Sequence, residues 1–128
     1  MPKITFEISH KYQFEKMAGG ADDAIRRGVN AGARLLADYT RDYGRRMWQG
    51  PYSTGTTIAA LTVEQKSSTK AVLTYNGKNQ KGNRNAEVAF VNEYGKRGQA
   101  ARPVNRAALD DNESAIEQRI ADEIFKDF

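Results

Sequence analysis

The segment 91–107, VNEYGKRGQAARPVNRA, places one carboxylate, Glu93, and one phenol, Tyr94, just ahead of four cations, Lys96, Arg97, Arg102 and Arg106. An acid beside a tyrosine with arginines close behind has the makings of general acid-base catalysis or of an anion grip. Its two glycines, Gly95 and Gly98, and its proline, Pro103, suggest something plainer, a shaped connection between two packed elements. In that second use Gly95 ends one element, Lys96, Arg97 and Gly98 reverse the chain, and Arg102 is held extended because proline follows it. Glu93 and Arg102 then bracket the turn, close enough in sequence to pair across its base.

Other reactive side chains are sparse. The chain has no cysteine, which excludes disulfides, thiolate nucleophiles and cysteine-ligated zinc or iron-sulfur sites. Its one histidine, His10, has Glu7 and Glu15 nearby without metal-ligand spacing, so it reads as a solvated side chain. Nothing places His10 beside Ser53, Ser67 or Ser68 for nucleophilic catalysis, and the GKRG run lacks the spacing of a phosphate-binding loop. The expectation is therefore no catalytic residue, no cofactor, no metal and no enzymatic activity. A small hydrolase built on Glu93 is the weakest alternative.

The elements that must position the segment follow from periodicity. Ile4, Phe6 and Ile8 alternate with polar residues as in a half-buried strand. From about Asp22 to Trp48, Ile25, Val29, Leu36, Tyr39, Tyr43 and Met47 recur at helical steps, with Gly32 and Ala33 filling the gap. The opposite face carries arginines and aspartates, with Arg34 to Asp38 and Asp42 to Arg46 at ion-pair spacing, the pattern of a solvated face. Gly50 and Pro51 stop this helix. Two β-rich runs follow, one centred on residues 58–63 and one in which Ala71, Leu73 and Tyr75 alternate. Residues 76–85 contain no apolar side chain and three cations, Lys78, Lys81 and Arg84, so an exposed and mobile loop is expected there, a candidate assembly loop. Residues 86–94 fit strand propensity and helical spacing alike. Leu109, Ile116, Ile120, Ile124 and Phe128 mark a C-terminal helix with Asn105 as its N-cap.

At 128 residues the chain reads as a single domain, 1–128, of globular composition, with 39% hydrophobic and 28% charged residues. The fold class expected is α+β, a long N-terminal helix and a C-terminal helix packed on a small, mainly antiparallel β-sheet. No apolar run approaches a membrane span, and the N-terminus lacks a signal-peptide core, so a cytoplasmic protein without membrane partners is expected. Charge is uneven: residues 1–105 hold 17 Lys or Arg against 9 Asp or Glu, and residues 106–128 hold 3 against 7, or +8 followed by −4. Such a split suits nucleic-acid attraction, or head-to-tail contact between copies.

VNEYG followed by ARPVNRAAL resembles the VEFG, ARPF and AL pattern of the tail-completion and head-tail joining proteins of long-tailed bacteriophages, a family of minor tail or neck components. GPYSTG after a long amphipathic helix is similar to that family's Ala-Pro, spacer, Thr-Gly element. The likeness covers about residues 20–125. By position Pro51, Thr54 and Gly55 match the first motif, and Val91, Glu93, Tyr94, Gly95, Arg102 and Pro103 match the second. The chain departs from the pattern at Thr57, Ala60, Lys96, Val104 and Arg106, where the family more often has leucine, serine, threonine, phenylalanine and proline. The resemblance favours a short helix over residues 88–94. It implies a virion structural protein, made in the bacterial host cytoplasm, that assembles as a ring with copies of itself and other neck or tail proteins. DNA threading such a ring would be contacted without sequence specificity. The alternative is a small basic nucleic-acid-binding module.

Overall fold

The computed structural model describes residues 4–7, 22–48 and 55–126. Pro51, Thr54, Gly50, His10 and Phe128 lie outside the described residues. The elements run β1 (Ile4–Glu7), α1 (Asp22–Met47), α2 (Thr56–Ala59), β2 (Leu61–Ser67), β3 (Lys70–Tyr75), α3 (Asn85–Tyr94) and α4 (Asn105–Phe125). The fold is α+β. Its sheet is antiparallel with order β1-β3-β2, so β3 is central, and the last two strands form a hairpin with an irregularity between Gln65 and Ser67. Alternation along β3 turns Ala71, Leu73 and Tyr75 inward, as their spacing predicts, and Leu61 of β2 joins them in the core.

One helix lies on this sheet and the other lies on that helix. α1 opens with Asp22 and Asp23 and closes with Arg45 and Arg46, each pair complementing the dipole at its end. Its inner face repeats every fourth residue: Ile25 and Val29 are large, whereas Gly28, Gly32, Ala33 and Ala37 are small. The small residues are notches. An added Cβ on Gly32 would stand 2.5 Å from Cγ1 of Ile120, and one on Gly28 would stand 2.5 Å from Cγ1 of Ile124. Both isoleucines, with Ile116, form the buried stripe of α4 expected from its periodicity. Close-packed interiors tolerate neither a void nor an extra methylene at such a seam.

Several local expectations change. Ile58 sits in the short helix α2 and not in a strand, where its side chain packs against Gly44 of α1. Arg34 donates from Nε to Oδ1 of Asn30 at 2.8 Å, while Asp38 is met by Arg41 at 3.0 Å; the Asp42 and Arg46 pair forms as spaced, at 3.0 Å. Met47 is exposed and Trp48, one residue later, takes the buried place. α4 bends at Asn112, whose backbone leaves the helical region at φ −123°. The Asn112 side chain donates to the Ala108 carbonyl at 2.9 Å and to Tyr43 Oη of α1 at 3.2 Å, so the bend is tied both to its own helix and to α1.

The seam gives a double-mutant test. Ile120→Ala should destabilise the protein by about 2–5 kcal/mol through the cavity it leaves. Gly32→Val should cost about 1–3 kcal/mol through overpacking. Urea denaturation of the double variant should show a loss smaller than the two singles combined, because the new valine enters the space that Ile120 vacates.

Candidate functional site

α3 ends where the sequence predicts, at Gly95, whose amide donates to the Val91 carbonyl at 2.7 Å. Gly95 has φ 78° and ψ 176°, backbone that only glycine adopts at low cost. A Cβ there would also meet Ala101 N at 2.8 Å and Gln99 O at 2.9 Å. The chain then reverses in a tight turn closed by two bonds between Lys96 and Gln99, and the Arg102 amide donates back to the Asn92 carbonyl at 2.7 Å. Pro103 follows, exposed, and α4 begins.

The carboxylate lies beneath that beginning. Glu93 is buried, and its Oε1 accepts from the amides of Val104 and Asn105, both at 2.8 Å, and from Asn105 Nδ2 at 3.0 Å. Its Oε2 accepts from the Arg106 amide at 3.0 Å. Four amides at the start of an α-helix lack intrahelical partners, and here the first helical bond is Ala108 N to Val104 O, leaving residues 104–107 as those four. Glu93 takes three of them. Asn105 is therefore not the N-cap expected from its type. The cap comes from a different helix, and a carboxylate supplies it more strongly than a neutral amide would, because its charge faces the positive end of the helix dipole.

Asn105 does a second job. Its Oδ1 accepts from the phenol of Tyr75 at 2.8 Å, so the same side chain joins Glu93 to the central strand. Burial holds the Tyr75 phenol well above its ordinary range, keeping it a neutral donor. The anticipated partnership of Glu93 with Arg102 is replaced by this arrangement. Arg102 donates to the Met47 carbonyl at 3.2 Å and to Asn92 Oδ1 at 3.0 Å, and its own carbonyl accepts from Trp48 Nε1 at 2.9 Å. The end of α1, β3, α3 and the start of α4 thus meet at one polar hub. The Trp48 ring closes its apolar side, 6.0 Å from that of Tyr75.

Of the residues singled out by sequence, Glu93, Gly95 and Arg102 come together here. Tyr94 does not: it points to solvent against Phe90. Val91 is half-buried, and Gly55 has φ 78° just before α2. Lys78, Lys81 and Arg84 are exposed on the loop 76–85, away from the hub in sequence and in bonding. That loop is more structured than its composition suggests, since Asn79 Oδ1 accepts from the amides of Lys81 and Asn83, both at 3.0 Å, and Lys78 bridges to Arg84. Asn92, Trp48 and Tyr75 are hub members that spacing arguments placed elsewhere or passed over.

A second feature lies on the solvated side of α1. Arg26, Arg27 and Arg34 of α1 and Arg119 of α4 line an open groove of about 620 Å³ floored by Ala31 and Leu35, with Asp38 and Glu123 among them. A hydrogen bond from Lys126 holds the Glu123 carboxyl below its ordinary range, so it faces Arg27, 3.9 Å away, as an anion. No group of three or more His, Asp or Glu that could hold a metal occurs among the described residues. None of the described helices is long and apolar enough to cross a membrane.

No family model matches the chain, and no curated protein or solved structure matches it significantly.

The hub predicts two stability losses. Glu93→Gln should lower stability by about 1–3 kcal/mol, since an amide turns donors toward amides that need an acceptor. Gly95→Val should cost at least as much as a strained backbone residue, about 1–3 kcal/mol, with the clash added. Chemical denaturation reads both. A Glu93→Gln midpoint equal to wild type would mean that the cap contributes nothing.

Proposed function

We propose that the protein is a structural component of a phage or prophage virion that acts in head-tail joining or tail completion, by ring assembly at the neck or tail end. One observation carries the proposal: the segment resembling the neck and tail-completion pattern is used as one structural unit. Glu93 caps α4, Gly95 permits the turn, and Arg102 fastens the connector to α1. Glu93 is engaged by four donors within the protein, which is what an architectural carboxylate requires and leaves little for substrate chemistry. Its neighbours in the ring would be copies of itself and other neck or tail proteins, meeting a rigid frame whose basic loops lie at the surface.

A second reading, a small basic nucleic-acid-binding module, is favoured by the arginine-lined groove. Such a module should bind duplex or single strands with an affinity that falls steeply with salt, whereas a neck component should show little affinity of that kind. Deleting the gene from the phage or prophage that carries it should leave filled heads and tails unjoined in electron micrographs; intact particles from the deletion would refute the proposal. Replacing Lys78, Lys81 and Arg84 with serine should change stability by less than about 0.5 kcal/mol, as surface substitutions do. The same triple variant should impair joining, and a full yield of infectious particles would remove the loop's assembly role.

A further inference from the structure

Asn76 is the one asparagine of this chain that a glycine follows. Such a pair can react with itself, because the side-chain amide lies within reach of the next residue's main-chain nitrogen and glycine has no Cβ to hinder the approach. Both residues are exposed, at the point where β3 gives way to the loop 76–85. Gly77 has φ 72°, and among the described residues its amide meets no acceptor. An amide committed to a hydrogen bond is a poor nucleophile, and this one is uncommitted.

The carbon it would attack is held back. Asn76 Nδ2 donates to Thr62 Oγ1 at 2.8 Å, and Asn76 Oδ1 accepts from Thr74 Oγ1 at 3.3 Å. The two threonine hydroxyls stand 3.1 Å apart across the β2-β3 hairpin, so together they clasp the side chain against the end of the sheet. The main chain is anchored as well: the Asn76 amide donates to the Ala60 carbonyl at 3.2 Å, and the Asn76 carbonyl accepts from Asn85 Nδ2 at 2.8 Å. Hydrogen bonds at a solvent-exposed strand end open locally, without unfolding of the whole protein.

We propose that Asn76 is a site of slow self-modification, converting to aspartate and isoaspartate through a cyclic imide with Gly77, at a rate set by release of its side chain from Thr62 and Thr74. The Gly77 nitrogen loses its proton to solvent base and bonds to Asn76 Cγ, whereupon the Cγ–Nδ2 bond breaks and Nδ2 leaves as ammonia. Water, the one co-reactant, then opens the imide at either carbonyl. Opening at Cγ gives aspartate. Opening at the main-chain carbonyl gives isoaspartate, which lengthens the chain by one carbon and displaces the carbonyl that holds Asn85, buried at the first position of α3. Either product sets a carboxylate beside Lys78, in a loop whose charged residues are otherwise Lys78, Lys81 and Arg84. The reaction would therefore change both the charge and the anchoring of the candidate assembly loop, and its chemistry depends on no functional reading.

The test incubates the full folded chain in heavy-oxygen water at neutral pH and physiological temperature and follows the tryptic peptide 71–78 by mass spectrometry. Asn76 should convert before any other asparagine, each product should carry one oxygen from the solvent, and the rate should rise with pH as attack by a deprotonated amide requires. A chain held unfolded in denaturant should convert faster than the folded one, since nothing then clasps the side chain. Thr62→Val removes the acceptor of Nδ2 at an exposed position and should speed conversion of the folded chain about fivefold, the equivalent of one ordinary hydrogen bond, while the other asparagines keep their rates. Gly77→Ala should abolish conversion over the same interval. An Asn76 that stays intact in the folded chain while the unfolded chain converts would overturn the site, and this comparison decides even if the Thr62 variant fails to fold. A Thr62→Val rate equal to that of wild type, or an acceleration shared by every asparagine, would overturn the clasp as its control.

Discussion

A buried carboxylate beneath the first turn of α4 is the interaction on which the rest of this structure depends. Removing a charged group from water is costly unless hydrogen bonds and opposite charge replace the solvent. Glu93 meets that condition with three backbone amides, one side-chain amide and the positive end of a long helix. The dependence runs both ways, because without Glu93 those amides would have no acceptor on their own helix. α3 and α4, joined by the connector 95–104, are fixed in relative position by that mutual need. Asn105 then carries the constraint to Tyr75 on the central strand.

Two unlike interfaces hold the remaining elements. Between α1 and α4 the centre of the seam is steric, with isoleucines of one helix set against glycines of the other, and polar contacts from Tyr43 and Arg27 flank it. At the hub the contacts are polar and directional: Trp48 donates to the Arg102 carbonyl, and Arg102 donates to the end of α1. The steric seam fixes how closely the long helices approach, and the polar hub fixes where the connector leaves and α4 begins. At the surface lie the loop 76–85, which Asn79 holds from within and which Thr56 meets at Gln80, and the turn at Lys96–Gln99, whose Gln99 donates to Asn92. Surface segments of that kind can meet a partner without disturbing the frame beneath.

Much of the fold was legible because periodicity reports burial. The stripe of Ile116, Ile120 and Ile124, the alternation of Ala71, Leu73 and Tyr75, and the span of α1 all read correctly, since the side chains facing the core recur at the period of their element, although β3 also buries Val72 on its other side. Ile58 misled because β-branched residues in a short run suit a strand by propensity, while its burial against Gly44 is a tertiary matter. Asn105 misled for a related reason. Its type matches an N-cap, but a carboxylate eleven residues before Val104 in the chain already occupies those amides, and residue type carries no sign of a cap from another helix. Gly95 was legible as the end of an apolar run that fitted strand and helix alike, and the structure adds the helix and the crowding by Ala101 and Gln99. Trp48 and Asn92 were hidden because a lone indole and a lone amide have no periodicity to betray them.

The central claim, that Glu93 holds the start of α4, is tested most directly by native-state hydrogen exchange at the amides of Val104, Asn105 and Arg106. An amide bonded only within a fraying helix end exchanges almost freely, whereas one bonded to a buried acceptor exchanges only when the surrounding structure opens. The account predicts that all three are protected in the wild type to a degree approaching that of the α4 interior near Ile120. In Glu93→Ala they should lose that protection while the Ile116 to Ile124 stripe keeps its own. Free exchange of the three amides in the wild-type protein would contradict the account.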